Sequence, residues 1–228
     1  MRRVVVTGMG VVSPIGIGIP AFFEGLRTAR SGVDEIRSFD ASALASRVAG
    51  EVRGLDPGVQ ALPEPHRLAL LRDRKSLFGL VAAREALRQA FGGARPAEVY
   101  PTGRRSAYLA VGLSRFYLED VVATMGDDRV DVAAVLAAAR AAPRDAHLQI
   151  QSDVGVRCIA AEADVNGSVA INVSACAAGT QALGEAFLAL RDGAADVAIT
   201  GGYDSMVNLL GVGGFCLLEA LSRRNDLG

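Results

Sequence analysis

Short apolar runs that stop at glycine or small residues, alternating with stretches of helical periodicity, constrain this chain more than any other feature of its 228 residues. Residues 3–7 read as a buried first strand ending at Gly8-Met9-Gly10, residues 106–111 as a second, 168–174 as a third, and 195–200 as a fourth ending at Gly201-Gly202. Helical patterns fall between them over 21–30, 67–91, 117–125, 130–141 and 148–163, and another follows residue 176. The runs are almost continuously apolar, as strands covered on both faces are. Strands separated by helices imply a mostly parallel sheet layered between helices, an α/β architecture. Around this frame, Arg47–Val52 alternates weakly and reads as an edge strand. Gly and Pro breakers make 54–65 a surface loop, Gly92-Gly93 ends the long helix, and Gly211-Val212-Gly213-Gly214 reads as a turn.

Composition narrows the function classes. Half the residues are hydrophobic, enough for one substantial core or two small ones. A net charge of −1 gives no electrostatic footprint for nucleic acid or an anionic membrane. Lys75 is the only lysine among 24 basic residues, an arginine bias spread over every segment. Three cysteines without a spaced pair fit a reducing compartment, so a cytoplasmic location is expected. No apolar stretch reaches the length of a membrane span, and Val4-Val5-Val6 is too short and glycine-broken for a signal peptide. Gly8-Met9-Gly10 resembles half a dinucleotide fingerprint, but Ser13 and Pro14 stand where a third glycine is needed. No Cys-x-x-Cys pair or Cys/His cluster has zinc spacing.

Cys176 is the candidate for chemistry. Val169, Ala170, Ile171 and Val173 form the third strand, small residues follow, and Ala182, Leu183, Ala186, Phe187 and Leu190 then repeat at helical spacing to the Arg191-Asp192-Gly193 stop. A thiol at a strand-to-helix junction meets amide dipoles that favour an anion and can stabilise an oxyanion, as a covalent acyl-transfer nucleophile requires. The alternative is that a cysteine among small residues is core filler. Cys158, in a helical segment, and Cys216, after Gly213-Gly214-Phe215, take that plainer reading.

Five blocks, in order, resemble the β-ketoacyl synthase family. They are Arg3–Gly16, Val173–Gly179 around Cys176, Gly193–Gly202, Gly211–Phe215 and Ala220–Asp226. The resemblance covers residues 1–228 and about the first half of the family's domain, so the C-terminal half is expected to be absent. It implies a thiolase-like fold, of which this chain forms a layered α-β-α half-domain with a mostly parallel mixed sheet. It implies Cys176 as the nucleophile of a 3-oxoacyl-[acyl-carrier-protein] synthase type acyltransferase. Cys176 would take an acyl group from a carrier-protein phosphopantetheine thioester, and malonyl-carrier protein would then lose carbon dioxide and condense with it, in fatty acid or polyketide biosynthesis.

The resemblance also implies the Cys176 amide as one oxyanion donor, Phe215 as an acyl-pocket aromatic and Arg115 near the acyl-pocket position. Ordinary core phenylalanine is the other reading of Phe215. No cofactor is implied beyond the carrier's phosphopantetheine. The expected partners are acyl carrier protein, the missing half, and a second chain in a homodimer or heterodimer. The family's catalytic histidines belong to the second half; His66 and His147, the only histidines here, match no histidine motif and read as surface residues. The alternative function is a non-catalytic half-synthase acting as scaffold or heterodimer partner. Leu148, Asp153, Arg157 and Gly167-Ser168 depart from the family pattern and point to a divergent or secondary-metabolism member.

Overall fold

A computed structural model describes residues 2–56, 73–112, 131–141 and 151–226. In chain order these form β1 (Val12–Ser13), β2 (Gly16–Ile17), α1 (Ile19–Arg27), β3 (Val33–Glu35), β4 (Val48–Gly50), α2 (Arg74–Phe91) and α3 (Pro96–Val99). There follow β5 (Arg105–Val111), α4 (Val132–Ala141), α5 (Asp153–Glu162), β6 (Val169–Asn172), a 3-10 turn (Ala175–Ala177), α6 (Ala178–Arg191), β7 (Val197–Tyr203) and α7 (Leu209–Leu217).

The central sheet has the order β6-β5-β7 and is parallel throughout, with Ala107 opposite Val169 on one side and Ile199 on the other. Alternation along β5 decides which helix each residue meets. Ala107, Leu109 and Val111 pack with Leu77 and Leu80 of α2, Val156 and Ile159 of α5, and Tyr203 at the end of β7. Ala110 points the other way and packs with Ala178 and Ala182 of α6. Helices therefore cover both faces, the layered α-β-α arrangement expected from the alternating pattern. On the α2 side the aromatic ring of Tyr203 fills a slot that only glycine leaves open: a Cβ at Gly79 would lie 2.5 Å from the ring, and one at Gly155 2.5 Å from the hydroxyl. Lys75 is buried in the first turn of α2, held by the Asp73 carboxylate at 3.0 Å.

A second, smaller core lies outside the sheet. β3 and β4 pair antiparallel, and Ile36, Ala41 and Val212 pack there with Phe39, Leu44 and Cys216. This confirms the edge-strand reading of 47–52 and places α7 against the β3–β4 ribbon.

Two expectations fail. Residues 3–7 make no strand pairing among the described residues, and Val5 and Val6 are 60% and 78% exposed rather than buried. The segment is instead fastened to α2 through its backbone. The Met9 N–H donates to Gln89 Oε1 at 2.6 Å, and Glu85 accepts from Val11 N–H at 3.1 Å and Ile19 N–H at 2.7 Å. Gly8 and Gly10 permit this approach, since a Cβ on either would fall about 2 Å from the Ala86 and Ala82 carbonyl oxygens. An apolar run alone cannot say whether a neighbouring strand exists, and none adjoins it among the described residues.

The second failure is Gly211-Val212-Gly213-Gly214, which lies inside α7 rather than in a turn. Gly211 is in the helix because it must be small: its Cβ would stand 2.3 Å from the Met206 carbonyl oxygen. The other helices fall where their patterns put them, with 67–72, 117–125 and 148–150 outside the described residues, as is most of 54–65. Gly92 in left-handed conformation ends α2, and Gly193, φ +77°, follows α6 as expected of a C′ glycine.

Candidate active site at the β6–α6 junction

The chain leaves β6 at Asn172, turns through Val173 and Ser174, and enters the 3-10 turn that runs directly into α6. Ala175, immediately before the cysteine, has φ +52°, a left-handed conformation that costs an alanine roughly 1 kcal/mol. Such strain at a single non-glycine residue marks a sharp bend held by its surroundings. What holds it is the packing on either side. α6 seats Ala178 and Ala182 on Ala110 of β5, and a Cβ added to Gly202 of β7 would meet the Ala110 Cβ at 3.1 Å and the Gly179 Cα at 3.5 Å. Small residues thus let the start of α6 approach the C-terminal ends of β5 and β7 closely. Cys176, on the outside of that bend, is exposed.

The amide groups at this helix start are not consumed by side chains. Neither the turn nor α6 has a side-chain cap, and no acidic residue stands in the first turn of either. Ala177 donates its N–H to Ser174 O at 3.3 Å, while the Cys176 N–H makes no hydrogen bond among the described residues. Ser174, the natural capping side chain, donates its Oγ–H to Gln181 Oε1 on α6, and Asn172 Nδ2 donates to Glu185 Oε2 at 3.2 Å one step further from the bend. An exposed thiol beside unused amide donors can attack a carbonyl and have the resulting oxyanion stabilised by those donors.

The other cysteines lack this setting. Cys158 is buried in α5 among the core residues, and burial, reinforced by the Glu162 carboxylate, pushes its thiol up to about 11. Cys216 is half-buried against the small core of α7. Phe215 is 39% exposed on α7. Arg115, His66, His147 and Leu148 lie outside the described residues. Asp153 and Arg157 form an i,i+4 ion pair at 2.6 Å on α5, a helix-surface role. Among the described residues no group of three or more His, Cys, Asp or Glu could hold a metal ion, and no helix is long and apolar enough to cross a membrane. The Ala175 torsion and the Ser174–Gln181 contact have no local signature in the sequence, because neither a left-handed φ at alanine nor a seven-residue side-chain link follows from residue spacing.

Residues 1–227 match the family described as beta-ketoacyl synthase, N-terminal domain. The chain is 33% identical over 230 residues to the tetracenomycin polyketide synthase ketoacyl synthase alpha subunit of Streptomyces glaucescens, covering 99% of this chain and 51% of that protein. It is 30% identical over 233 residues to 3-oxoacyl-[acyl-carrier-protein] synthase 2 of Coxiella burnetii, with the same shares covered. Among solved structures it superimposes on the ishigamide ketosynthase/chain length factor with a TM-score of 0.74 at 29% identity, over 97% of this chain and 52% of that one. A type II PKS acyl-carrier protein in complex with its ketosynthase bound to the hexaketide gives a TM-score of 0.74 at 25% identity, over 100% and 51%. The chain spans about half the length of the curated relatives it matches.

Proposed function

The chain belongs to the β-ketoacyl synthase family, and on that premise we propose that Cys176 is the acyl-accepting nucleophile of a carrier-protein-dependent condensing acyltransferase. The observation that carries this reading is the exposed Cys176 thiol on a strained bend beside an amide N–H that has no acceptor among the described residues. The Cys176 sulfur attacks the thioester carbonyl of an acyl-phosphopantetheine, and the Cys176 N–H donates to the oxyanion as it forms. The bond to the phosphopantetheine sulfur then breaks, that sulfur leaves as the thiolate and takes a proton, and the acyl group stays on Cys176. A malonyl unit on carrier protein would next lose carbon dioxide and attack the acyl-cysteine, forming the new carbon–carbon bond and freeing Cys176.

That second step needs acid–base and electrostatic groups, which this reading assigns to the half of the family's domain beyond these residues. Phe215, partly exposed on α7, would contact the acyl chain, and Arg115 would belong to the acyl-pocket position that the family resemblance gives it. The reading calls for no resident cofactor, since the thioester itself supplies the activated acyl group. A free, exposed thiol nucleophile suits a reducing compartment, which supports a cytoplasmic setting for the reaction. The partners are acyl carrier protein and a second, similar chain; the relatives' descriptions as a carrier-protein complex and a ketosynthase/chain length factor support both.

Incubation of the chain with a short acyl-phosphopantetheine thioester, followed by peptide mass mapping, tests this. The acyl mass is expected on the peptide holding Cys176 and absent from Cys176→Ala. Acylation of Cys158 or Cys216 at a comparable rate overturns the assignment.

A further inference from the structure

A serine hydroxyl accepts readily from the backbone N–H two residues ahead, closing a local turn. For Ser174 that N–H belongs to Cys176. The structure shows the competition resolved the other way: Ser174 Oγ–H points along α6 to Gln181 Oε1, the turn carries no side-chain cap, and the Cys176 N–H has no acceptor among the described residues. Gln181 sits one turn into α6, on the same face of the helix as Glu185, which takes the Asn172 amide in the next rung. Two parallel side-chain links therefore tie the exit of β6 to α6 on one side of the bend.

We propose that Gln181 is a positioning residue for Cys176: by holding the Ser174 hydroxyl, it keeps that hydroxyl from occupying the Cys176 amide, which stays free for the oxyanion. This rests on the acyl-transfer reading, because only a reaction that develops an oxyanion needs the amide free. Gln181 touches neither the acyl group nor the sulfur; it acts through Ser174. Without its acceptor, Ser174 is released to close the turn on the Cys176 N–H, and an occupied donor stabilises the tetrahedral intermediate less.

Gln181→Met keeps length and helix propensity while removing the acceptor, so the fold is preserved. An exposed hydrogen bond of about 1 kcal/mol predicts a loss of roughly three- to tenfold in acylation of Cys176 by an acetyl-phosphopantetheine thioester. Alkylation by iodoacetamide, a displacement at carbon without an oxyanion, should stay within about twofold of wild type by the same reasoning. A general loosening of the site would move both rates together. Amide hydrogen exchange at Cys176, followed by NMR, should slow in Gln181→Met as Ser174 engages it. In Ser174→Ala/Gln181→Met both acylation and exchange should return to the values of Ser174→Ala alone.

The proposal is overturned if Gln181→Met acylates as fast as wild type, or if the double variant stays as slow as Gln181→Met. Should wild-type Cys176 alkylate but never acylate, the acyl-transfer reading fails. Exchange still decides Gln181 in that case, because unchanged exchange in Gln181→Met overturns the positioning role.

Discussion

Two helices start at the same end of the molecule's chain path from strand to helix, and they treat their first amides in opposite ways. At α7, Asn208 is extended, φ −156°, and its Oδ1 accepts the Gly211 N–H at 2.9 Å, the ordinary side-chain cap. At α6, the chain arrives through a strained Ala175, the nearest capping side chain is turned away to Gln181, and an exposed thiol stands beside an N–H with no acceptor among the described residues. A helix start built for stability uses its donors internally; one that forgoes the cap leaves them for a ligand. The difference is local, since both helices follow a strand of the same sheet.

The sharpest way to break the comparison is to rank the thiols. If the α6 start is a reactive site, iodoacetamide at pH 8 should modify Cys176 first. Cys158, whose thiol is held up to about 11 by burial, should react far more slowly, because only about one in a thousand such thiols is ionised at pH 8. Peptide mapping over a time course checks this, and equal labelling of Cys158 would mean that the open helix start confers nothing.

The same contrast can be sharpened from the capped side. Asn208→Ala removes the α7 cap and should lower the unfolding free energy by about 1 kcal/mol. Asn208→Ser keeps an acceptor and removes the buried Nδ2, which has no partner among the described residues, so it should stay near wild type. Urea unfolding monitors both. Iodoacetamide alkylation of Cys176, which needs no acyl pocket, should be unchanged by either, because the Asn208 cap supports the small core around Val212 and not the β6–α6 bend. A cost-free Asn208→Ala would erase the distinction between the two starts.

Most of this frame was legible in the sequence. The apolar runs at 106–111, 168–174 and 195–200 became the three parallel strands, because such runs are what a doubly covered sheet requires. The strand–cysteine–helix order marked the candidate site for the same reason. Residues 3–7 misled because an apolar run records a preference for burial, not whether a neighbour is present to bury it; Val5 and Val6 remain exposed while Glu85 and Gln89 hold the backbone. Gly211–Gly214 misled because glycine serves both turns and close helix packing, and only the 2.3 Å distance to Met206 O tells them apart. What makes the α6 start open rather than capped, the Ser174 rotamer and the Ala175 torsion, is set by side chains and contacts that sequence spacing does not carry.

The smallest effect concerns the strand between the two helix starts. Asp196, just before β7, accepts two hydrogen bonds from Arg104, at 2.7 and 3.0 Å, and one from Arg2 at 3.0 Å. These guanidiniums, Arg104 foremost, hold its carboxyl down to about 2. The folded value lies below the ordinary carboxylate value of about 4, so the unfolded chain takes up this proton first as pH falls. The stabilisation is complete above about pH 4 and disappears as pH drops toward 2. Because β7 leads from α6 to α7, acid should weaken both helix starts together and leave their difference in cap and thiol untouched. Urea midpoints measured between pH 5 and 2.5 should fall less steeply for Asp196→Asn than for wild type. Part of the slope should remain, since Asp164 is also held low by Arg95. The pair is surface-exposed and screened, so the change is expected to be modest and to shrink in high salt. An unchanged slope in Asp196→Asn would show that the triad tying the N-terminal segment to β7 contributes nothing to folding. A slope that alters Cys176 labelling but not the α7 core would show that the two starts respond separately to the strand between them.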